Sequence, residues 1–433
     1  MARILHYQAS VASLVAILLL ATCSAKPVLG EPPGRHKWTV DLVKYGYHRV
    51  GRDAANDYDS SSQVAATGDV VAVAIGNPVA TAHFDAKHQV YEAQTNVFLY
   101  LLDAKSGKLI TRRGPWYSDY FFELHATSKG NFLLLLRHLH DGTSNHDETL
   151  YLLSSLGEEL KKIDLAPSFL KDEPTWNKML ISSSGRTLVV GQSLKNGVRY
   201  EVLEADTLET RYAWTAGKES PWIIGISDSE ALGLGMARSA QNQHAAGEVQ
   251  DLFIRTFDGP WRAFPVYLDL SSHLFGSGLR PEQFSFLGQD LIVALNREQK
   301  LPEQPIRLVR TDGTVAASPA TPKLPAHSWL DGPVIVADEG RYFAVGFRHR
   351  PWLSHLMLDL MEMDMAFQDD ETSLVVWRAS DLVPVARIEL GEVHGEISCS
   401  TGSPATIAYL IWSELEVIRA SFDQEKIGGW PTQ

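Results

Sequence analysis

The chain has 433 residues, of which 45% are hydrophobic and 9% are aromatic. This composition is typical of a globular protein and excludes disorder over the whole chain. The formal net charge is −13 at pH 7, and an acidic surface of this size argues against nucleic acid and anionic lipid headgroups as partners.

Residues 1–25 have the pattern of an export signal. Arg3 precedes an apolar run at residues 11–21, and small residues follow it. The run is short for a membrane span and matches the hydrophobic region of a signal peptide. The stretch LLLATCS also resembles a bacterial lipoprotein box, in which Cys23 carries the lipid. Two alternatives therefore stay open: a lipid anchor at Cys23, or release by cleavage after Ala25.

The first predicted element of the mature chain is a strand at residues 36–43, HKWTVDLV. Trp38, Val40 and Leu42 alternate with polar residues, as expected for a half-buried strand. No repeat unit surrounds this strand. We therefore expect it to pair with the last repeat unit, at the opposite end of the chain.

Two patterns then recur along the chain. The first is a small polar turn before an apolar strand: ATGDVVAVAIG at 66, SKGNFLLLL at 128, SSSGRTLVV at 182, SDSEALGLG at 227, LGQDLIVAL at 287 and DEGRYFAVG at 338. The second is a strand that ends at a polar turn residue: Asp103, Ser154, Asp206, Asp258, Asp312, Asp381 and Asp423. These turn residues are 51, 52, 52, 54, 69 and 42 residues apart.

This spacing predicts an all-β fold. Each unit reads as four short antiparallel strands, which is the blade of a β-propeller. Seven turn residues predict seven blades in one domain at residues 36–425. The last unit lacks a fourth strand, so the strand at residues 36–43 is predicted to complete that blade and close the ring, which would hide a sheet edge.

The paired turns SSSGRTLVV and LLDAKSGKLI, at residues 182–190 and 101–110, resemble those of YVTN-type, quinoprotein-like and Tol-associated bacterial propellers. The resemblance covers most of residues 60–425. Those families commonly read Ser-Pro-Asp-Gly at the first turn, whereas residues 182–185 read Ser-Ser-Ser-Gly. The resemblance implies the fold and does not imply a function.

Common catalytic motifs are absent from the sequence. It has no Cys-x-x-Cys-His for haem attachment, no Gly-x-Ser-x-Gly elbow, no phosphate-binding glycine loop, no EF-hand loop and no His-Glu-x-x-His. A glycosidase or lyase built from scattered carboxylates stays open, because such pairs have no fixed spacing in sequence.

Histidines concentrate in the long loops predicted between second and third strands, at about residues 76–95, 138–148, 237–248, 297–304 and 348–371. Eight lie there: His83, His88, His138, His140, His146, His244, His349 and His355. His138 and His140 share one side of an extended strand, which with His146 suggests a transition-metal site. The alternative is that exposed loops simply collect polar residues.

The longest insertion, residues 348–371, is predicted to be partly helical and to lie within the sixth blade. Leu353, Met357, Met361 and Met365 are four residues apart, which places them on one face of a helix. Three interpretations stay open: packing onto the propeller itself, an adaptable partner surface that includes Trp352 and His355, or a methionine-rich Cu(I) site.

The sequence therefore predicts an exported, monomeric cell-envelope propeller. We expect a non-catalytic binding or scaffold module that binds a protein or small-molecule ligand through its long-loop face. Contact with the membrane would come only through a lipid at Cys23. The alternative is a propeller enzyme, metal-dependent or carboxylate-based, with its site on the same face.

Overall fold

A computed structural model describes residues 36–47, 61–78, 83–85, 90–92, 94–119, 122–139, 145–169, 179–194, 196–217, 220–227, 233–236, 252–256, 258–264, 284–294, 306–322, 324, 328–349, 371–391, 393, 397–400, 404–411 and 413–422. The described strands belong to one compact unit. Within these ranges no helix has the length and apolar character needed to cross a membrane.

The chain begins with β1 (His36–Asp41) and a short 3-10 helix (Leu42–Tyr45). Sheet 1 contains β2 (Ser61–Ala66), β3 (Val70–Pro78), β6 (Gln94–Asp103) and β7 (Leu109–Asp119), with a ribbon of β4 (His83–Asp85) and β5 (Val90–Glu92) between β3 and β6. Sheet 2 contains β8 (Phe122–Ala126), β9 (Phe132–Leu139), β10 (Asn145–Leu153) and β11 (Glu159–Phe169). Sheet 3 contains β12 (Met179–Ile181), β13 (Thr187–Leu194), β14 (Gly197–Glu204) and β15 (Glu209–Gly217).

Sheet 4 contains β16 (Trp222–Ile226), β17 (Gly233–Met236), β18 (Leu252–Arg255) and β19 (Arg262–Phe264). Sheet 5 contains β20 (Phe284–Leu287), β21 (Asp290–Ala294), β22 (Ile306–Val309) and β23 (Val315–Ala317). Sheet 6 contains β24 (Ser328–Ala337), β25 (Tyr342–His349), β26 (Glu371–Arg378) and β27 (Pro384–Gly391), with a 3-10 turn at Asp338–Gly340. Sheet 7 contains β28 (Ile397–Cys399), β29 (Ala405–Ile411) and β30 (Glu414–Ala420), joined by β1.

The sheets are arranged as the blades of a β-propeller, so the predicted all-β propeller of four-stranded antiparallel blades is confirmed. The first strands of neighbouring sheets contact each other in the pairs β2 with β8, β12 with β16, β16 with β20, β20 with β24, β24 with β28, and β28 with β2. Sheets 2 and 3 meet through β11 and β13.

The hydrophobic core lies between neighbouring sheets, because each inner strand packs against a different sheet on either side. In β9, Leu134 and Leu136 pack with sheet 1, whereas Leu133 and Leu135 pack with sheet 3. Both faces of such a strand are buried, so its sequence is a continuous apolar run instead of an alternating one. The outer strand β15 is largely exposed.

The first recurring pattern forms the hairpin between the first and second strands of a sheet. In sheet 3 the buried hydroxyl of Ser182 accepts hydrogen bonds from the backbone N–H groups of Arg186 (3.2 Å) and Thr187 (3.1 Å). Thr67, Thr127 and Ser400 occupy the same position in sheets 1, 2 and 7, and each hydroxyl accepts a backbone N–H across its own turn. A small hydroxyl residue is therefore the part of this pattern that stabilises the turn.

Gly185 in the same turn needs to be glycine for two reasons. Its φ is +72°, and a Cβ there would lie 2.8 Å from the backbone nitrogen of Ser128 in sheet 2. That nitrogen donates to the Gly185 carbonyl at 2.9 Å. The turn therefore joins two sheets, and a side chain would push them apart.

Strand β1 pairs antiparallel with β30, from His36 opposite Arg419 to Asp41 opposite Glu414. Val40 and Leu42 are buried, as their alternation predicts. The predicted strand at residues 36–43 ends two residues earlier, because the Asp41 carboxylate accepts the Val43 N–H and caps the 3-10 helix.

Candidate functional site

The two ends of the sheets differ. At one end, the tight-turn rim, short turns such as 67–69, 127–131, 182–186 and 310–314 join consecutive strands. At the other end, the long-loop rim, second and third strands are joined over residues 79–93, 140–144, 237–251, 295–305 and 350–370. Sheets 3 and 7 are the exceptions, with only residues 195–196 and 412–413 at this position. The predicted long loops all fall on this one rim.

Strands β9 and β10 place two of the predicted metal-binding histidines at the long-loop rim. The register sets His138 opposite Asp147 and His146 opposite Leu139. The side chains of His138, His146 and Asp147 lie outside the described part of the chain, as does His140 altogether. The metal site therefore stays a prediction.

A buried ion pair lies beside His138, one position farther from the long-loop rim. Arg137 Nε and Glu148 Oε1 are 3.2 Å apart, and the Glu148 side chain is fully buried. The hydroxyl of Ser118, at the end of β7, accepts the Arg137 backbone N–H at 3.2 Å and donates to the Arg137 carbonyl at 3.1 Å. The hydrogen bonds of Ser118 continue the backbone pairing of β9 past the end of β8. The ion pair links β9 to β10, the two stems of loop 140–144.

A histidine–carboxylate contact lies at the base of the longest insertion. His349 Nε2, at the end of β25, lies 3.2 Å from Glu371 Oε2, at the start of β26. The two residues are also direct partners in the strand register. The predicted binding residues of the insertion lie outside the described residues: Trp352, His355, Met357, Met361 and Met365.

The side chains between sheets 2 and 3 change from apolar to polar toward the long-loop rim. Deep in the gap its walls are leucines and valines, such as Leu135 and Val190. Toward the long-loop rim the same strand faces carry three buried polar residues, Arg137, Glu148 and Gln192. On β14, Arg199 lies opposite Gln192 and Glu201 lies opposite Val190. Arg199 Nε and Glu201 Oε1 are 2.8 Å apart, and the Arg199 side chain is half exposed.

Sequence reasoning missed these five residues. A local signal was available, because the run FLLLLRHL changes abruptly from leucine to arginine and the following strand begins with several polar residues before its own apolar run. However, only the packing of neighbouring sheets shows that Arg137, Glu148 and Gln192 are buried.

The tight-turn rim holds structural carboxylates. Asp103 accepts hydrogen bonds from the hydroxyl of Ser106 at 2.6 Å and from its backbone N–H at 2.7 Å, and these bonds lower the pKa of Asp103. Asp312 binds Thr314 in the same way, and its pKa is also lowered. In the part of the chain that the structure describes, no three His, Cys, Asp or Glu side chains come together as a metal site.

Neither a family model nor a curated protein matches this sequence. Among solved structures, the chain resembles the acylaminoacyl peptidase of Pyrococcus horikoshii at 9% identity and a TM-score of 0.38, over 81% of this chain and 49% of that one. It resembles a prolyl endopeptidase at 11% identity and a TM-score of 0.44, over 83% and 48%.

A dihydro-heme d1 dehydrogenase is similar at 13% identity and a TM-score of 0.34, over 87% of this chain and 78% of that one. The chain spans about half the length of the two peptidases. Similarities at this level carry no argument about activity or ligand.

Proposed function

We propose that this protein is a non-catalytic binding or scaffold module that recognises a macromolecular partner through the long-loop rim. The observation that carries the proposal is the difference between the two rims. In five of the seven described sheets, the second and third strands are joined at the long-loop rim by longer connections than the tight turns at the other end. Sheet 3, joined by residues 195–196, shows that the sheets do not need long connections at this end.

Long connections increase the entropy lost on ordering the chain, and in compact domains long loops commonly carry function. The stems of two of these loops are linked by polar contacts, the ion pair of Arg137 with Glu148 and the contact of His349 with Glu371. Fixed stems limit the conformations of a loop and so reduce the entropy lost when it binds.

A rigid scaffold is the second part of the proposal. We propose that the sheets form one closed seven-bladed ring of the kind found in YVTN-type, quinoprotein-like and Tol-associated propellers, with β1 as the outer strand of the last blade. This is supported by the antiparallel pairing of β1 with β30 and by the contact of β28 with β2. The helical insertion predicted in the sixth blade belongs to the same proposal.

We further propose, on the basis of residues 1–25, that the protein is exported and acts in the cell envelope. We also propose that it is a monomer. The mature chain is then expected to begin at Cys23 with a lipid attached, or at Lys26 without one. Mass spectrometry of the protein isolated from its natural source decides between the two. An intact Met1 on the soluble protein would contradict both.

The test of partner binding compares the two rims. The partner is first cross-linked to the protein in extracts of the native cells and identified, and its Kd is then measured with purified components. Replacing residues 350–370 by a tight turn is expected to weaken binding at least about tenfold. The matched control replaces residues 105–107 on the tight-turn rim and is expected to leave the Kd unchanged.

Both variants must retain the wild-type melting temperature for the comparison to count. A shortened protein that stays folded and binds the partner with the wild-type Kd would contradict the proposal. So would a control variant that loses binding to the same extent, because recognition would then lie on the tight-turn rim.

A metal-dependent enzyme with its site on the same rim is the second candidate function. It is favoured by one observation, the register that sets His138 opposite Asp147. Elemental analysis of protein purified without chelator tests it. A stoichiometric transition metal that His138→Ala removes would support a metal site, and metal-free protein with full partner binding would support the binding module.

A further inference from the structure

One corner of the tight-turn rim has a charge opposite to that of the whole chain. Residues 104–113 form the turn into β7 and the first part of that strand, and they contain four cations and no carboxylate: Lys105, Lys108, Arg112 and Arg113. The carboxylate before them, Asp103, is held by hydrogen bonds from Ser106. Screening limits the reach of a charge to about 8 Å at physiological ionic strength. A partner at this corner therefore meets these cations and not the net charge of the chain.

Two exposed apolar side chains lie among these cations. Leu109 is 45% exposed and Ile110 is 41% exposed. The register of β6 with β7 shifts by one residue here, so Ile110 is the extra residue of a bulge. The bulge explains why two successive apolar residues are exposed on a strand whose residues would otherwise alternate. We call this surface the basic corner and define it by five exposed residues: Lys105, Lys108, Leu109, Ile110 and Arg112.

An exposed leucine of sheet 2 extends the apolar part of this surface. Arg113 Nη2 donates to the Leu156 carbonyl at 3.2 Å, which places the neighbouring turn of sheet 2 beside β7. The Leu156 side chain is 52% exposed. Glu158 and Glu159 follow it and are also exposed, so the basic surface ends at this turn.

The N-terminal strand begins at the same corner. Its first residue, His36, lies opposite Arg419, and Arg419 Nη2 donates at 3.2 Å to the carbonyl of Gly68 in a tight turn of sheet 1. Trp38 Nε1 donates to the Ala104 carbonyl at 2.8 Å. Strand β1 therefore starts beside the basic corner.

The position of this start restricts where a membrane anchor can act. Residues 24–35 connect Cys23 to β1 in the sequence, and a chain of this length spans at most about 40 Å. A lipid at Cys23 would therefore hold the tight-turn rim near a bilayer. A single acyl chain anchors a protein only weakly, and basic residues beside it supply the second signal that stable attachment needs.

We infer that the basic corner docks on the surface of an anionic phospholipid bilayer. The three cations of the corner lie at the headgroups, and Leu109 and Ile110 enter the interface below them. This contact is additional to a lipid at Cys23, and the inference rests on the proposed location in the cell envelope. The long-loop rim is at the other end of the sheets, so it stays accessible to a protein partner.

The test measures co-sedimentation of the chain that begins at Lys26 with lipid vesicles. This form carries no lipid, so only the protein surface contributes. It is expected to bind vesicles of phosphatidylglycerol and phosphatidylcholine, more weakly as the salt concentration rises, and not vesicles of phosphatidylcholine alone. The double variant Lys108→Gln, Leu109→Gln is expected to lower the partition coefficient at least about tenfold, because one cation and one apolar contact are lost together.

The matched control is the double variant Val43→Gln, Lys44→Gln. These residues are likewise an exposed apolar residue and an exposed lysine, adjacent in sequence. They lie at the long-loop rim, because the preceding residue, Leu42, donates its backbone N–H to Ser413 in the short connection of sheet 7. The control should bind vesicles as the wild type does. All four substituted residues are exposed, so both variants should keep the wild-type melting temperature.

The inference is overturned if the wild-type chain does not bind the anionic vesicles or binds neutral vesicles equally well. It is also overturned if the basic-corner variant binds as the wild type does, if the control loses binding to the same extent, or if polyglutamate binds the chain more tightly than the vesicles do, which would indicate an acidic protein as the partner. The Kd for the partner of the long-loop rim should be unchanged in the basic-corner variant, so failure here is distinguishable from failure of the proposed function.

Discussion

Leu42 provides the sharpest test of how the two ends of the chain are joined. Its side chain is fully buried in a cluster that combines residues of sheet 7, such as Leu415 and Val417, with residues of sheet 1, such as Val73 and Tyr100. Its backbone N–H donates to the Ser413 carbonyl at 2.7 Å. The truncation Leu42→Ala removes apolar contacts from both sheets at once and leaves the backbone hydrogen bond in place.

The expected cost follows from its burial. Leucine-to-alanine truncations in rigid cores lower the free energy of unfolding by about 3–5 kcal/mol, because transfer energy is lost and a cavity remains. The neighbouring Val43 is 52% exposed, so Val43→Ala in the same 3-10 helix should change the free energy of unfolding by less than about 0.5 kcal/mol.

Urea unfolding followed by fluorescence gives both values, with the slope of each transition checked against the wild type. If Leu42→Ala unfolds at the same urea concentration as Val43→Ala, the packing of β1 and its helix does not join sheet 7 to sheet 1. The closure of the ring by the N-terminal strand would then have to be abandoned.

Two further variants test polar contacts. Asp206→Ala should lower the free energy of unfolding by about 3 kcal/mol, because this buried carboxylate accepts hydrogen bonds from Thr127, Ser128 and Asn131 of the neighbouring sheet. The control Asp381→Ala, at the matching but exposed turn of another sheet, should lower it by less than about 1 kcal/mol. Equal losses in the two variants would mean that the hydrogen bonds between the sheets do not contribute to stability. Burial, reinforced by the hydrogen bond to Glu416, raises the pKa of Tyr409. The folded state therefore holds the phenol proton more tightly than the unfolded state does. This contribution to the free energy of unfolding is lost as the pH rises above about 10, where the tyrosine of the unfolded chain loses its proton. Chemical unfolding from pH 8 to 11 should therefore show a smaller alkaline loss of stability in Tyr409→Phe than in the wild type or in Tyr117→Phe, and parallel curves for all three would refute this role of Tyr409.

The turns show what could be predicted from local sequence. Ser182, Gly185 and the apolar run after them predict a hairpin, and the structure explains each residue by contacts within the turn or directly beside it. Asp206 was predicted in the same way, as a turn residue at the end of a strand. Its hydrogen bonds to Thr127 and Ser128 were not predicted, because those partners are 79 and 78 residues away.

The candidate site was predicted only as a rim. Loop lengths and histidine positions indicated the end of the molecule where the long connections lie. They suggested a metal site at His138, His140 and His146, which stays a prediction because the side chains of these residues lie outside the described part of the chain. Loop residues are brought together by tertiary contacts that sequence spacing does not fix.

The sequence by itself determined the all-β class, the repeated turn chemistry and the amphipathic N-terminal strand, because these depend on residues within a few positions of one another. Only the tertiary structure decided the register of β1 against β30, which carboxylates join neighbouring sheets, and that Arg137, Glu148 and Gln192 are buried. These features arise where two sheets pack face to face. Packing brings together residues that are far apart in sequence, and it buries polar groups whose cost depends on partners that local sequence does not specify.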